Sequence, residues 1–213
     1  MPAERTFTAR HVQLTRAALA AVAALMITFS PDHSASVGLP TFGGFVIATA
    51  LVLVLAAIIV YPAGHRWPAV IIAGISFVLG MTAGIPSIRS DALFFGLVIA
   101  WAASTGLVEL IHGIRSKGTE GARDATLIGS LGLLLALLLA LVPAGFVMDY
   151  TTPQGAASLT GIIIGVGMFG GYAAIIAVFL GIAGLTPGAK KAAQADAEKE
   201  AGTDSLADHG GYA

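Results

Sequence analysis

The sequence predicts an all-α polytopic membrane protein, with six transmembrane helices arranged as three parallel helix-hairpin repeats. Of its 213 residues, 56% are hydrophobic and only 11% are charged, less than half of the roughly 25% typical of soluble domains. The apolar residues form six runs, and the basic residues lie almost entirely on alternate breaks between them. Lipid must be the solvent for that much apolar surface. The composition therefore argues against a soluble enzyme, a nucleic-acid-binding protein and a disordered chain.

The six apolar runs have the lengths expected of membrane-crossing helices. In chain order they are Leu14–Ser30, Thr41–Tyr61, Pro68–Ile85, Ala92–Ile114, Ala125–Val142 and Leu159–Thr186. About 20 helical residues cross a hydrocarbon core of about 30 Å, and all but the first run reach or approach that length. The first run also fits a signal peptide. We keep it as a helix because the first hairpin would otherwise lose half of its structure.

The distribution of Lys and Arg predicts the orientation of the chain. Alternate segments, beginning with the N-terminal one, hold ten basic residues, and the segments on the other side hold only Arg89. Basic loops stay in the cytoplasm, so we expect both termini there and the chain in the bacterial inner (plasma) membrane. The predicted domains are a cytoplasmic segment (1–13), a membrane domain (14–186) and a polar, largely disordered cytoplasmic tail (187–213).

An internal repeat is predicted from a glycine-led pattern in the second helix of each hairpin. The hairpins cover about 14–61, 68–114 and 125–186. Each second helix carries Gly, two apolar residues, Ile, a small residue, any residue and a small residue. The small residues four positions apart are Gly44 and Ala48, Gly96 and Ala100, and Gly161 and Gly165. Such pairs share a helix face and let a neighbouring backbone approach closely in lipid, so we expect them to pack helices.

The three hairpins, and above all the fourth span GLVIAWAASTGLVELIHGIRS, resemble the HdeD-like family of small bacterial membrane proteins. The resemblance covers about residues 12–186. It implies a six-helix inner-membrane protein associated with acid or stress resistance. The third hairpin departs from the family pattern because its second helix has no acidic or histidine residue, and the loop Ala144–Ser158 is an addition.

The fourth span carries the polar residues of greatest interest. Glu109 and His112 are three residues apart and share a helix face, and Trp101, Ser104 and Thr105 lie on the same side, closer to the outer surface. An ionisable residue inside a span is a functional candidate, and a histidine titrates near neutrality. One interpretation is therefore a protonatable pair that lines a cavity or a proton path.

The alternative interpretation places this pair at the membrane interface. Glu109 lies six residues before Arg115, about 9 Å along the helix, where it could reach headgroup water or pair with Arg66 or Arg115. Arg16, at the start of the first span, is expected to snorkel towards the headgroups. A single Glu-x-x-His pair supplies only two metal ligands, so no metal site is predicted.

The sequence favours a membrane protein that is not an enzyme. It contains no cysteine and no Walker, Rossmann, HExxH or GxSxG motif, so no cofactor is predicted. The first hypothesis is a protein of membrane or acid stress tolerance, or an accessory subunit of a membrane complex. The second is a channel or transporter for a small solute, with Glu109 and His112 lining the path. The expected partners are the lipid bilayer and other membrane subunits or a second copy, but not nucleic acid.

Overall fold

The computed structural model describes residues 7–119, 121–143, 145–153 and 155–186, and this part of the chain is mostly helical. The predicted tail at 187–213 and the beginning of the predicted N-terminal segment lie outside the described residues. The α-helices are α1 (Ala9–Thr28), α2 (Ala35–Ile59), α3 (Trp67–Ala83), α4 (Asp91–Arg115), α5 (Ala122–Leu141) and α6 (Gly161–Leu185). A short 3₁₀ turn, Pro86–Ile88, precedes α4.

Five of these helices are long and apolar enough to cross a membrane, namely α1, α2, α4, α5 and α6. Helix α3 is apolar but has only 17 residues, which gives it a length of about 26 Å at 1.5 Å per residue. These helices are consistent with a membrane protein. The count of six spans stays a prediction, because α3 is shorter than the roughly 20 residues of a typical span.

The helices form a closed ring in chain order. Each helix contacts the next, α6 returns to α1, and α2, α4 and α6 also contact one another. The most extensive contacts join α4 to α5, α1 to α6 and α2 to α3. These pairs combine helices from different predicted hairpins, so the predicted hairpins are not the most tightly packed units. The internal repeat itself stays a prediction.

Aromatic side chains fill the middle of the bundle. Phe42 of α2 packs edge-on against Phe169 of α6 and Trp101 of α4, with ring centroids 5.6 and 5.7 Å apart. Phe45 packs against the same two rings. Phe42 and Phe169 are completely buried. Edge-to-face packing of this kind stabilises a core beyond the burial of area, so the three helices at the centre are held together by large rings.

Two of the three predicted glycine faces do not pack helices within this chain. Gly44 and Gly96 are exposed, and a Cβ added to either would meet nothing within 4 Å. Ala48 is half-buried and Ala100 is exposed. In the third pair Gly161 and Gly165 are buried, and Gly165 lies against the ring of Phe95. The physical reason is that the Gly44 and Gly96 faces point outward from the ring.

The close helix approach that these faces were expected to provide occurs between α4 and α5 instead. A Cβ on Gly106 would lie 2.9 Å from the carbonyl oxygen of Gly129, and a Cβ on Gly132 would lie 3.1 Å from the carbonyl oxygen of Ala102. We call Gly106, Gly129 and Gly132 the glycine seam. Backbone contact at this distance is possible only without side chains, which accounts for the extensive contact between the two helices.

The chain is mostly helical, as the predicted all-α class requires, and the predicted outer loop contains one short β-hairpin. Strands β1 (Val147–Thr152) and β2 (Gly155–Thr160) pair antiparallel, with Val147 opposite Thr160. Gly155 has a positive φ of 129°, which glycine adopts without strain. The hairpin leads directly into α6, whose first amide, at Gly161, donates to the carbonyl of Phe146 at 2.8 Å.

Candidate functional site

An open cavity of about 460 Å³ lies at one end of the bundle, where α1, α3 and α5 begin and α2, α4 and α6 end. All six helices contribute to its wall, for example through Arg16, Leu53, Ile72, Glu109, Asp124 and Leu180. We call this cavity the vestibule. It is at the end of the bundle that carries most of the basic residues, so it is on the side predicted to be cytoplasmic.

An ion pair lies at the bottom of the vestibule. Arg16 of α1 donates from Nη2 to Oε1 of Glu109 on α4, at 2.9 Å. The two side chains are only 18% and 11% exposed. The predicted ion pair of Glu109 with Arg66 or Arg115 is therefore not formed, and Arg16 takes that place. Charges far from water are stable only when paired, and these two are each other's partner.

A small pocket lies beyond the ion pair, towards the middle of the bundle. Its volume is about 20 Å³, which is room for about one water molecule. Arg16 and Glu109 line it together with Thr49, Thr105 and Tyr172. We call it the inner pocket. The hydroxyl oxygen of Thr49 is buried and has no hydrogen-bond partner among the described residues, so the pocket contains an unused polar group.

The structure brings together part of the predicted polar face of α4. Trp101 and Thr105 line the inner pocket with Glu109. The indole Nε1 of Trp101 donates to Oγ of Ser76 at 3.0 Å, and the hydroxyl of Thr105 donates to the carbonyl of Trp101 at 2.7 Å. Ser104 donates to the carbonyl of Ala100 at 2.6 Å and lines neither cavity. Of the predicted polar residues on this side of α4, Ser104 therefore lies apart from the inner pocket.

His112 lines the vestibule but does not hydrogen-bond to Glu109. Its Nδ1 lies 3.3 Å from Oγ of Ser116, and its ring packs edge-on against Trp67 with centroids 5.9 Å apart. A serine hydroxyl next to a histidine ring supplies two of the three groups of a nucleophilic catalytic site, namely the nucleophile and its base. Among the described residues no carboxylate hydrogen-bonds to His112, so the third group that orients such a base is not in place.

Three contributors to the site were missed by sequence reasoning. Arg16 is 93 residues from Glu109, and Thr49 and Tyr172 come from α2 and α6. A signal for the first existed: both Arg16 and Glu109 lie in predicted spans, and charges inside membranes pair with one another. Tyr172 is noticeable as a tyrosine inside the sixth span, whose hydroxyl needs a partner. Nothing in the sequence places it or Thr49 at a cavity, because which residues face a cavity depends on how the helices are rotated in the bundle.

A second polar contact joins α1 to α5 at the vestibule wall. Nε2 of Gln13 donates to Oδ2 of Asp124 at 3.2 Å. No group of three His, Asp or Glu residues that could hold a metal ion occurs in the described part of the chain. The vestibule thus offers guanidinium and imidazole donors beside carboxylate acceptors, which is suited to binding a small polar solute by hydrogen bonds.

Comparison with known proteins gives no further assignment. No protein-family model matches this chain, and no curated protein or solved structure is significantly similar to it.

Proposed function

We propose that this protein is an integral membrane protein that passes a small polar solute, entering from the vestibule and controlled by the Arg16–Glu109 ion pair. The observation that carries the proposal is the position of that pair, between a cavity of about 460 Å³ and a pocket of about 20 Å³. An intramembrane ion pair is costly to bury, and control of solute passage between the two cavities would account for that cost.

The chemistry of the pair explains how a solute could open the path. A solute that carries both a donor and an acceptor can hydrogen-bond to Arg16 and Glu109 at the same time and replace each as the partner of the other. Separation of α1 and α4 at this point would then enlarge the inner pocket, which in the closed arrangement has room for only about one water molecule. His112, on the vestibule wall, is in position to contact the entering solute.

Solute flux into liposomes tests the proposal directly. The purified chain is reconstituted and shrinkage and swelling are followed by stopped-flow light scattering, with urea, glycerol and acetamide as probes. We expect flux of at least one probe above that of protein-free liposomes, with loss in Glu109→Gln and reduction in His112→Ala. Asp91→Asn is the matched control, because it makes the same type of change at the opposite, exposed end of α4. Flux equal to that of protein-free liposomes for all three probes would contradict the proposal.

A second candidate function is a role in membrane or acid stress tolerance, as the HdeD-like resemblance implies, or as an accessory subunit of a membrane complex. The observation that favours it is the exposed face of Gly96 and Ala100, where a Cβ on Gly96 would meet nothing within 4 Å. Association in lipid uses small-residue faces of this kind. The test is gentle extraction of a tagged copy at native expression, followed by mass spectrometry of proteins present in stoichiometric amounts.

A bulky residue at Gly96 makes that test specific. Gly96→Leu should abolish recovery of a partner, while Gly171→Leu, at an equally open position of α6, should leave it unchanged. A chain that is extracted alone, or a partner retained by Gly96→Leu, would count against the accessory-subunit function.

A further inference from the structure

A groove of about 410 Å³ runs between the outer faces of α2 and α3. Its floor consists of small side chains, among them Ala57 and Ala73, which are 4% and 2% exposed. Its walls are large apolar side chains such as Ile58 and Phe77, which are 73% and 48% exposed. The groove results from this contrast in size, because the small side chains let α2 and α3 approach each other and the large side chains project outward on both sides.

The groove has the surroundings and the length of an acyl-chain site. Helix α2 is one of the membrane-crossing helices, and exposed apolar walls of this kind face hydrocarbon rather than water. Along α2 the lining runs from Ala50 to Ile58, about 12 Å at 1.5 Å per residue. Half of a hydrocarbon core of about 30 Å is about 15 Å, so the groove extends through most of one leaflet.

A single cation lines one end of this apolar groove. Arg66 immediately precedes α3, contributes to the groove lining and is exposed. It forms no ion pair with another residue in the described part of the chain. Because α3 begins here, the guanidinium is near the level of the lipid headgroups. A planar guanidinium binds phosphate through two parallel hydrogen bonds, so its charge complements the phosphodiester of a phospholipid.

We propose that this groove binds an anionic phospholipid, with one acyl chain on the alanine floor and the phosphodiester on Arg66. Gly74 lines the groove and leaves space for the acyl chain, because a Cβ added there would meet nothing within 4 Å. The groove opens on the side predicted to be cytoplasmic, where anionic lipids are concentrated. The site is separate from the vestibule and does not depend on the proposed solute path.

Native mass spectrometry of the purified full chain tests this site. The chain is mixed in detergent with equimolar phosphatidylglycerol and phosphatidylcholine of identical acyl chains, and the first retained lipid is identified. We expect about fivefold preference for phosphatidylglycerol, the equivalent of the ~1 kcal/mol that one basic residue contributes near anionic lipid. Arg66→Gln should bring the preference close to one. Gly74→Leu should lower retention of both lipids, whereas Gly171→Leu, the matched control in α6, should behave as the unchanged chain.

Equal retention of the two lipids by the unchanged chain would overturn the proposal, as would equal effects of Gly74→Leu and Gly171→Leu. A lipid-free dimer would also overturn it, because the groove would then be covered by a second copy. If Gly74→Leu does not fold, Phe77→Trp provides an independent readout at the groove wall. Its added fluorescence should be quenched more strongly by brominated phosphatidylglycerol than by brominated phosphatidylcholine, and equal quenching would contradict the site.

Discussion

At the scale of single residues, the Arg16–Glu109 pair connects the first helix to the fourth inside the apolar part of the molecule. Removing one member of a buried pair leaves the other charge without compensation, whereas removing both leaves no charge to compensate. The pair is therefore expected to behave as a unit in stability as well as in solute flux. Its contribution can be separated from that of packing by changing the two residues singly and together.

A double-mutant cycle gives the first prediction. Arg16→Gln and Glu109→Gln should each lower the free energy of unfolding by about 3 kcal/mol, the lower end of the range for breaking buried pairs. The double variant should lose clearly less than the sum of the two. The measurement is SDS-induced unfolding of the protein in mixed micelles, followed by circular dichroism. Additive losses would mean that the two side chains act independently.

Thr49 gives the second prediction, because its buried hydroxyl has no partner among the described residues. Thr49→Val replaces the hydroxyl with a methyl group of similar shape and removes an unsatisfied polar atom. The free energy of unfolding should rise by about 1 kcal/mol, the lower end of the cost of such a group. A fall in solute flux in the more stable variant would connect the inner pocket to the path. A loss of stability would instead reveal a partner for the hydroxyl.

Several residues of the site could be predicted from the sequence, but the residues that they contact on other helices could not. Glu109, Thr105 and Trp101 do lie together at the inner pocket, since periodicity along one helix is fixed by its geometry. The partner Arg16 comes from another helix, and no local pattern encodes which helices become neighbours. His112 lies on the vestibule wall without contacting Glu109, because residues three apart share a face but their side chains can extend in different directions.

At the scale of secondary-structure elements, all six predicted helices are present, and the most extensive contacts join helices of different predicted hairpins. Apolar runs and proline-marked breaks identify helices directly, whereas the choice of neighbours depends on which faces fit. The glycine seam of α4 and α5 illustrates this, because its glycines were not recognised by the repeated pattern of Gly44, Gly96 and Gly161. The β-hairpin was also not predicted, since its strands are only six residues long and lie in a loop between two apolar runs.

Two glycines of α4 give the third prediction. Gly106→Ala would place a Cβ 2.9 Å from the carbonyl oxygen of Gly129 and 3.0 Å from the amide nitrogen of Leu133, so the helices must separate at a cost of about 1–3 kcal/mol. Gly96→Ala adds the same methyl group where nothing lies within 4 Å, and should raise stability by about 0.5 kcal/mol through helix propensity. Equal unfolding midpoints for the two variants would contradict the importance of the seam.

At the scale of the whole molecule, the closed ring explains why polar groups concentrate at one end. Odd-numbered helices begin there and even-numbered helices end there, so residues near the start of α1 and near the end of α4 meet in one cavity. The opposite end is covered by short connections and the β-hairpin. The molecule therefore has one open, polar end and one end without a comparable basic cluster, and we expect this asymmetry to set its direction across a bilayer.

That direction gives the fourth prediction, and the absence of cysteine from the chain makes it simple to test. Lys117, after α4, and Tyr150, in the β-hairpin, are both exposed, so each can be replaced by a single cysteine. In bacterial spheroplasts, Tyr150→Cys should react with a membrane-impermeant maleimide, and Lys117→Cys should react only after permeabilisation. The reason is that basic loops are retained in the cytoplasm.

The reverse pattern would place the vestibule outside the cell, where the Arg16–Glu109 pair would face an external solute. Because α5 is the helix that separates Lys117 from Tyr150, labelling of both cysteines from one side would instead show that α5 does not cross.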